Sequence, residues 1–394
     1  MNRIEKLLEE LCPDGVEYKP LGKIFDSRNG YTPSKSKPEY WESGTVPWFR
    51  MDDIRENGTV LEDSSLHINS VAVKKSGLFP KDSIIVATSA TIGVHALITQ
   101  DFLCNQRFTS LSVKSSYKDL FNIKFLYYYC FMLDAWCVNN TTQSSFSSVD
   151  MKKFYDFKFP IPPLAVQEEI VKILDSFTML EAELEAELEA RRKQYQFYRN
   201  ELLSFRERER VSFSSVGSIC DIKRGRVISK GFLRDNPGIY PVYSSQTINS
   251  GIFGMINSYD FDGEYITWTT DGANAGTVVS RSGKFSCTNV CGLLKVKNDK
   301  VIPKYLAYIL GSVAKRYVNA GMGNPKLMSN QMASILVPVP SLEEQARIVD
   351  VLDRFDALVN DISSGLPAEI AARRKQYEYY RDKLLTFPEK KTAA

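Results

Sequence analysis

Two stretches of this chain place apolar residues at the three- and four-residue steps of a helix packed along one face. In the first, Ile170, Ile173, Leu174, Phe177, Leu180, Leu184, Leu188, Tyr195, Tyr198 and Leu202 keep that rhythm. They lie in PIPPLAVQEEIVKILDSFTMLEAELEAELEARRKQYQFYRNELLSF, residues 160–205. The second stretch is PVPSLEEQARIVDVLDRFDALVNDISSGLPAEIAARRKQYEYYRDKLLTF, residues 338–387. Both open on Pro-x-Pro, pass through Gln-x-x-Ile (Gln167, Ile170; Gln345, Ile348) and share Ala-Arg-Arg-Lys-Gln-Tyr. A helix of about 40 residues spans roughly 60 Å, more than a small domain can cover, so each copy is expected to pack along the other. A first domain feeds the start of the first helix, and a second domain links its end to the start of the second helix. The pair should therefore run antiparallel. Phe177, Leu180, Leu184, Leu188 and Tyr195 are the expected packing residues of one copy, and Phe355, Leu358, Ile370 and Tyr377 those of the other. The second copy is four residues longer before its Ala-Arg-Arg-Lys-Gln-Tyr, and its Leu366-Pro367 should break or kink it. Four residues add about one turn plus 40° and roughly 6 Å, so the stripe nearly keeps its face while its ends move apart. In the first copy the same region is a Leu-Glu-Ala-Glu tetrapeptide repeat.

The rest of the chain alternates short apolar runs with turn residues, and it also repeats. PLGKIFDSRNGYTPSK (20–35) aligns with SVGSICDIKRGRVISK (215–230) at an offset of 195 without a gap. Gly22, Ile24, Asp26, Gly30, Ser34 and Lys35 recur as Gly217, Ile219, Asp221, Gly225, Ser229 and Lys230. The same offset sets Leu7-Leu8 on Leu202-Leu203, so residues 1–12 imitate the tail of a long helix and should lie beside the C-terminal helix end. DSIIVATSATIGVHALI (82–98) and GEYITWTTDGANAGTVV (263–279) both read as strand, small polar loop, Gly, strand. FTSLSVK and CGLLKVK are matching strands, and helices follow near 125–133 and 304–310. VPWFRMDDI in the first half and YPVYSSQ in the second have no evident counterpart in the other. The fold class predicted is α+β: two β-rich α/β domains separated by two long helices packed as an antiparallel coiled coil, an internal pseudo-two-fold repeat. The boundaries predicted are a helix at 1–13, a domain at 14–160, a helical spacer at 161–205, a second domain at 206–337 and a second spacer at 338–394.

Composition changes this picture little and charge changes it more. The chain has 394 residues, 43% hydrophobic and 25% charged, which is ordinary for two or three folded domains. MNRIEKLLEEL lacks the apolar core of a signal peptide, and no run approaches 18 apolar residues. The seven cysteines are scattered and form no CxxC pair, which reads as reduced thiols of a soluble cytoplasmic protein. The net charge of +3 is unevenly held. Residues 206–337 carry 17 Lys and Arg against 9 Asp and Glu, a net +8, whereas residues 14–160 carry 17 against 16, a net +1. A basic second domain is a hint of nucleic acid.

No catalytic constellation is legible. There is no GxxxxGK[ST] loop, no GxGxxG after a strand and no Asp/Asn-Pro-Pro-aromatic tetrapeptide of an amino-methyltransferase. The two histidines, His67 and His95, stand in no zinc spacing. Asp52-Asp53 and Asp260/Asp262 are read as ordinary surface or turn carboxylates, so no catalytic residue and no metal site are expected.

Two unlike β-rich domains between repeated helices resemble the specificity subunit of type I restriction–modification systems. The resemblance covers essentially the whole chain. It rests on the Pro-x-Pro…Gln-x-x-Ile helix starts, the ARRKQY…YYRDKLL helix ends and the opening MNRIEKLLEELCPDGVEYKPLG. Gly30–Pro33 with PWFRMDDI resembles one class of target recognition domain and YPVYSSQ…GIFG another. What the resemblance implies is a non-catalytic reader of double-stranded DNA. Each domain would read one half of an asymmetric bipartite target, and the helices would set the gap between the halves. Two modification subunits would dock on the helices and methylate adenine with S-adenosylmethionine. Two restriction subunits would add ATP- and Mg-dependent translocation and cleavage, or methylation would stand alone. No cofactor is expected on this chain and no membrane is involved.

Polar residues in loops between paired strands are the candidates for DNA contact, because base edges are read by such side chains. In the first domain these are Arg28, Tyr31, Lys35, Thr88, Ser89, Thr91, Gln106, Arg107 and Gln143. In the second they are Arg224, Arg226, Lys230, Gln246, Thr270, Asn274, Arg281, Asn324 and Lys326. The competing reading is an adaptor whose two domains bind protein or carbohydrate at either end of a coiled-coil spacer.

Overall fold

Each half of the chain docks its helix to its β-rich domain through one buried glutamine. Gln167 and Gln345 are both fully buried. The Gln167 side chain accepts from the Asn122 amide at 2.9 Å and donates to the carbonyls of Leu120 (2.8 Å) and Pro162 (2.7 Å). Gln345 repeats the arrangement, accepting from Ile302 at 2.8 Å and donating to Lys300 and Pro340, each at 2.9 Å. A second clamp lies two turns on. Asp175 accepts from the Tyr128 hydroxyl (2.6 Å) and Lys124 (2.7 Å), as Asp353 does from Tyr308 (2.6 Å) and Lys304 (2.7 Å). Burial, and then the neighbouring carboxylate, push both phenols well above their ordinary pKa.

The computed structural model describes residues 3–142, 147–205, 211–246, 248–319, 321, 323–361 and 363–390. The chain divides into two units, Met1–Glu183 with Ala371–Ala394, and Leu184–Ile370. In the first, a five-stranded sheet runs in the order Phe25–Asn29, Phe108–Val113, Ser83–Ala87, His95–Ile98, Val60–Leu61. The helix Ile123–Asn139 is part of the core beneath it, with Phe125, Leu126, Cys130, Leu133 and Cys137 at 0% exposure. A smaller sheet places Val46–Phe49 between His67–Ile68 and Leu103–Cys104, over a second core containing Trp48, Phe49, Phe79 and Phe102. Glu17–Pro20 pairs with Lys158–Ile161 and brings the chain ends of the domain together.

The second unit repeats this plan. Its main sheet runs Cys220–Arg224, Cys291–Val296, Tyr265–Thr269, Val278–Arg281, and Ser212–Ser215 pairs with Leu336–Val339. The registers agree between units: Phe25 faces Val113 as Cys220 faces Val296, and Ile84 faces Leu111 as Ile266 faces Leu294. The smaller sheet runs Ile252–Ile256, Tyr240–Tyr243, Lys284–Cys287, Phe261–Asp262. Here one sequence expectation fails. VPWF and YPVY do correspond, because each pairs parallel with an equivalent strand: Phe49 faces Cys104, and Tyr243 faces Cys287. Backbone pairing defines the position, and it is indifferent to which side chains stand on it.

The helix of the first copy is continuous over 39 residues, Leu164–Leu202. Its Leu-Glu-Ala-Glu tract has high intrinsic helix propensity, and Glu187–Arg191 (2.7 Å) and Glu189–Lys193 (2.6 Å) add pairs in the favourable orientation. The second copy breaks into Leu342–Asn360 and Leu366–Leu384. Gly365 sits in the break, where an added Cβ would overlap the carbonyls of Ala357 and Leu358.

Packing in both units is antiparallel. In the first, Phe177 meets Tyr377 (ring centroids 6.2 Å) and Tyr380 (5.9 Å), and Glu181 pairs with Arg374 at 2.5 Å. In the second, Phe355 meets Tyr195 (6.3 Å) and Tyr198 (5.6 Å). Leu180, Leu184 and Leu188 are half-buried and Ile370 is buried. Leu358 is a correction: it is 38% exposed, and Val359 at 0% lies inward instead. The buried run Ile348, Leu352, Val359 with Phe355 advances by four, three and four residues, and Leu358 falls off that stripe. The N-terminal helix Arg3–Leu11 packs Ile4, Leu7 and Leu8 into the same core as Leu384, Leu385 and Phe387.

Candidate nucleic-acid interface

The strand ends of each main sheet gather loops at one edge. In the first unit Gly30 follows its strand so closely under Cys104 and Asn105 that a Cβ would overlap their carbonyls. Its amide donates to Phe108 at 3.0 Å, and the Tyr31 amide to Cys104 at 2.8 Å. The Thr88 amide donates to Arg107 (3.0 Å), and the Val149 amide to Thr88 (2.9 Å). Three loops, 30–37, 88–92 and 104–107, therefore share one rim, with the strand Ser148–Val149 joined to it. Thr32 crosses between two of them, donating to the Gln106 side chain at 2.5 Å.

The second unit builds the same rim. Gly225 lies under the carbonyls of Cys287 and Thr288. The Thr270 amide donates to Val290 and the Leu327 amide to Thr270, both at 2.9 Å. The side chains on this frame differ. Arg224 donates to Thr270 (2.8 Å) and Asn289 (3.0 Å) and pairs with Asp271 (3.4 Å), which Lys326 approaches to 3.7 Å.

The candidates divide by what their side chains already do. Thr88 and Thr270 are 7% and 0% exposed and hydrogen-bonded inward, so neither presents its hydroxyl to a base edge. Arg28 donates to the carbonyls of Ser76 and Leu78 and lies 4.2 Å from the Phe79 ring centre, pinning a neighbouring loop. The Tyr31 hydroxyl donates to Ala72 and accepts from the Lys74 amide. Arg226 is paired with Asp260 at 2.9 Å, and Asn274 donates to Ser245 at 3.0 Å. Gln246 donates to the carbonyl of Ile252. Arg281 stacks 3.7 Å over Tyr243, and burial lowers its pKa. In this state each of these side chains is held by a contact within the fold. Sequence could not separate them from contacts, because an arginine bonded to a carbonyl across 50 residues looks like any other loop arginine.

Lys35, Arg107, Lys230 and Asn324 are exposed, as is Gln106, while Ser89 and Thr91 are half-buried on the first rim. Gln143 lies outside the described residues. Missed by sequence reasoning were the aromatic side chains beside Lys35: Trp41 and Trp48 stand edge to face at 5.0 Å, with Arg50 next to them. The sequence signal for them is the pair of tryptophans in PEYW and VPWFR, only seven residues apart and followed by an arginine.

Among the described residues no group of three or more His, Cys, Asp and Glu side chains is placed to hold a metal. No described helix is long and apolar enough to cross a membrane. Asp53 is buried and accepts from Arg50, Ser64 and Ser65, and Asp52 pairs with Arg50 and Arg55.

Comparison with known proteins adds the following. A family model described as the type I restriction modification DNA specificity domain matches twice, over residues 13–190 and 208–372. The EcoprrI type I restriction enzyme specificity subunit of Escherichia coli is 43% identical over 378 residues, 92% of each chain. A putative type I specificity subunit of Mycoplasma pneumoniae is 46% identical over 232 residues, 57% of this chain and 91% of that one. A solved structure from a study of type I system assembly has a TM-score of 0.63 at 16% identity, covering 94% of this chain and 97% of that chain. The S subunit from M. genitalium gives 0.52 at 16%, covering 95% and 96%. At such identities the structures speak to the fold alone.

Proposed function

The chain belongs to the type I restriction–modification DNA specificity family, and on that premise we propose that it reads DNA for partner subunits and performs no chemistry itself. Each unit reads one half of an asymmetric bipartite target with its loop rim. The number of helical residues sets the gap between the halves. Two modification subunits dock on the helical segments and use S-adenosylmethionine, and two restriction subunits supply the ATP- and Mg-dependent activities.

One observation carries the reading of two unlike half-sites. The rims share their backbone hydrogen bonds nearly one for one, yet Asn29, Ser89 and Ser148 stand where the other presents Arg224, Asp271 and Lys326. A common frame bearing different side chains is what reading two different sequences requires. Many of the second rim's cations are already paired with carboxylates, and residues 14–160 are nearly neutral. Phosphate neutralisation by this chain alone is therefore weak, and tight binding depends on the modification subunits.

The test is single-molecule sequencing of methyladenine in host DNA with and without the gene. A two-part asymmetric motif that vanishes on deletion is expected, and unchanged methylation refutes the proposal. Adding one Leu-Glu-Ala-Glu unit to the 39-residue helix should lengthen the gap by at most about two base pairs, since four residues add roughly 6 Å. Altered half-sites would refute the helical ruler.

A further inference from the structure

Beside the rim of the first unit lies a cavity of about 470 Å³, lined by Lys35, Trp41, Glu42, Trp48 and Arg50, with Pro38 and Leu66 at its edge. That is within the usual size of a small-molecule site. Trp48 forms the floor: it is 3% exposed, and its indole N–H donates to Tyr31 at 2.9 Å. Trp41 forms a wall. Its N–H is held by the Ser34 carbonyl at 3.1 Å, which fixes the ring, yet the residue is only half-buried. The Arg50 side chain reaches Asp52 at 3.4 Å through Nη1, while its Nε is buried without an acceptor. The Glu42 and Lys35 side chains are exposed at the mouth.

We propose that this cavity is a pocket for one unstacked, amino-bearing nucleobase (cytosine, adenine or guanine, and not thymine) of the DNA met by this domain. The proposal rests on the function proposed above and gives it a specific residue set. A fixed indole offers a stacking platform that every base can use, and stacking alone does not choose among bases. The choice comes from the polar groups. A carboxylate accepts from an exocyclic amino group, as Glu and Asp do from cytosine N4. It repels a bare phosphate and offers nothing to the keto edge of thymine. Lys35 and Arg50, both on the lining, supply the complementary donors for a ring nitrogen, a carbonyl oxygen or the attached phosphate. An ordinary core site would bury both tryptophans, and a pure phosphate site would have no reason for Glu42 or for the indoles. In the second unit the position of Trp48 is held by the fully buried Val242, so the indole floor belongs to one half of the target only.

The experiment uses the full chain and its tryptophan fluorescence, titrated with deoxycytidine, deoxyadenosine, deoxyguanosine and thymidine monophosphates and with inorganic phosphate. Saturable quenching by one of the first three, about tenfold tighter than by thymidine monophosphate and absent with phosphate, is expected. Glu42→Gln should erase that preference at unchanged melting temperature, and Trp41→Ala should remove the quenching. Equal response to phosphate, equal response to thymidine monophosphate, no quenching at all, or an unchanged preference in Glu42→Gln each overturns the pocket. In cells, Glu42→Gln should relax one position of one half-site and leave the other half-site intact. A wild-type chain that directs no bipartite methylation would refute the proposed function, while the titration would still judge the pocket.

Discussion

Replacing Gln167 with leucine removes three hydrogen bonds at a fully buried position while keeping side-chain volume nearly constant. The bond to the Pro162 carbonyl is buried, and those to Asn122 and Leu120 are partly buried. Leaving one buried acceptor unsatisfied costs about 1–3 kcal/mol, and each partly exposed bond adds about 0.5–1 kcal/mol because water recovers part of it. Leucine returns some of this as apolar burial, leaving a net loss of roughly 2–4 kcal/mol. The two units need not unfold together, so a global midpoint is a blunt probe. Amide hydrogen exchange read by peptide is sharper. Gln167→Leu should speed exchange around Asn122 by roughly 30-fold or more, from about 1.4 kcal/mol per factor of ten. The peptide around Ile302 should be unaffected, and Gln345→Leu should give the mirror result. A change below threefold at Asn122, or acceleration of both peptides by one substitution, would refute the idea that each glutamine independently clamps its own helix.

Gly30→Ala and Gly225→Ala should each destabilise their own unit by more than about 2 kcal/mol, because the clash is with backbone carbonyls that cannot rotate away; denaturant titration of the single variants checks this. Val359→Ala should cost about 1–2 kcal/mol and Leu358→Ala under about 0.5, the reverse of what the leucine stripe suggests, as thermal melts of the two will report. The Asp361 carboxyl is held down to about 2 by Ser363 and then Ser364, so it should titrate there by NMR, and Ser364→Ala should move it toward the ordinary value. Since this pKa is depressed in the folded chain, the contribution of Asp361 to the helix break is present above the ordinary carboxylate range. It is lost as pH falls through about 2.

The repeat, the helices and the family were legible in the chain because they rest on local signals. A 3.6-residue stripe, a Pro-x-Pro start and an uninterrupted 195-residue offset survive without any knowledge of contacts. Even the break in the second helix was announced by its Gly-Leu-Pro. The roles of the polar residues were not legible. Arg28 and Arg224 sit at the ends of equivalent strands, and only the folded chain reveals that one holds the loop at Ser76 and Leu78 and the other the pair Thr270–Asp271. The correspondence of VPWF with YPVY was likewise invisible, since parallel pairing across 55 and 44 residues is recorded in backbone hydrogen bonds and not in side-chain identity. Periodicity is written into sequence because each residue meets its neighbours a few positions away. Which arginine is free to reach outward depends on acceptors brought near by the whole fold, and that was decided only in three dimensions.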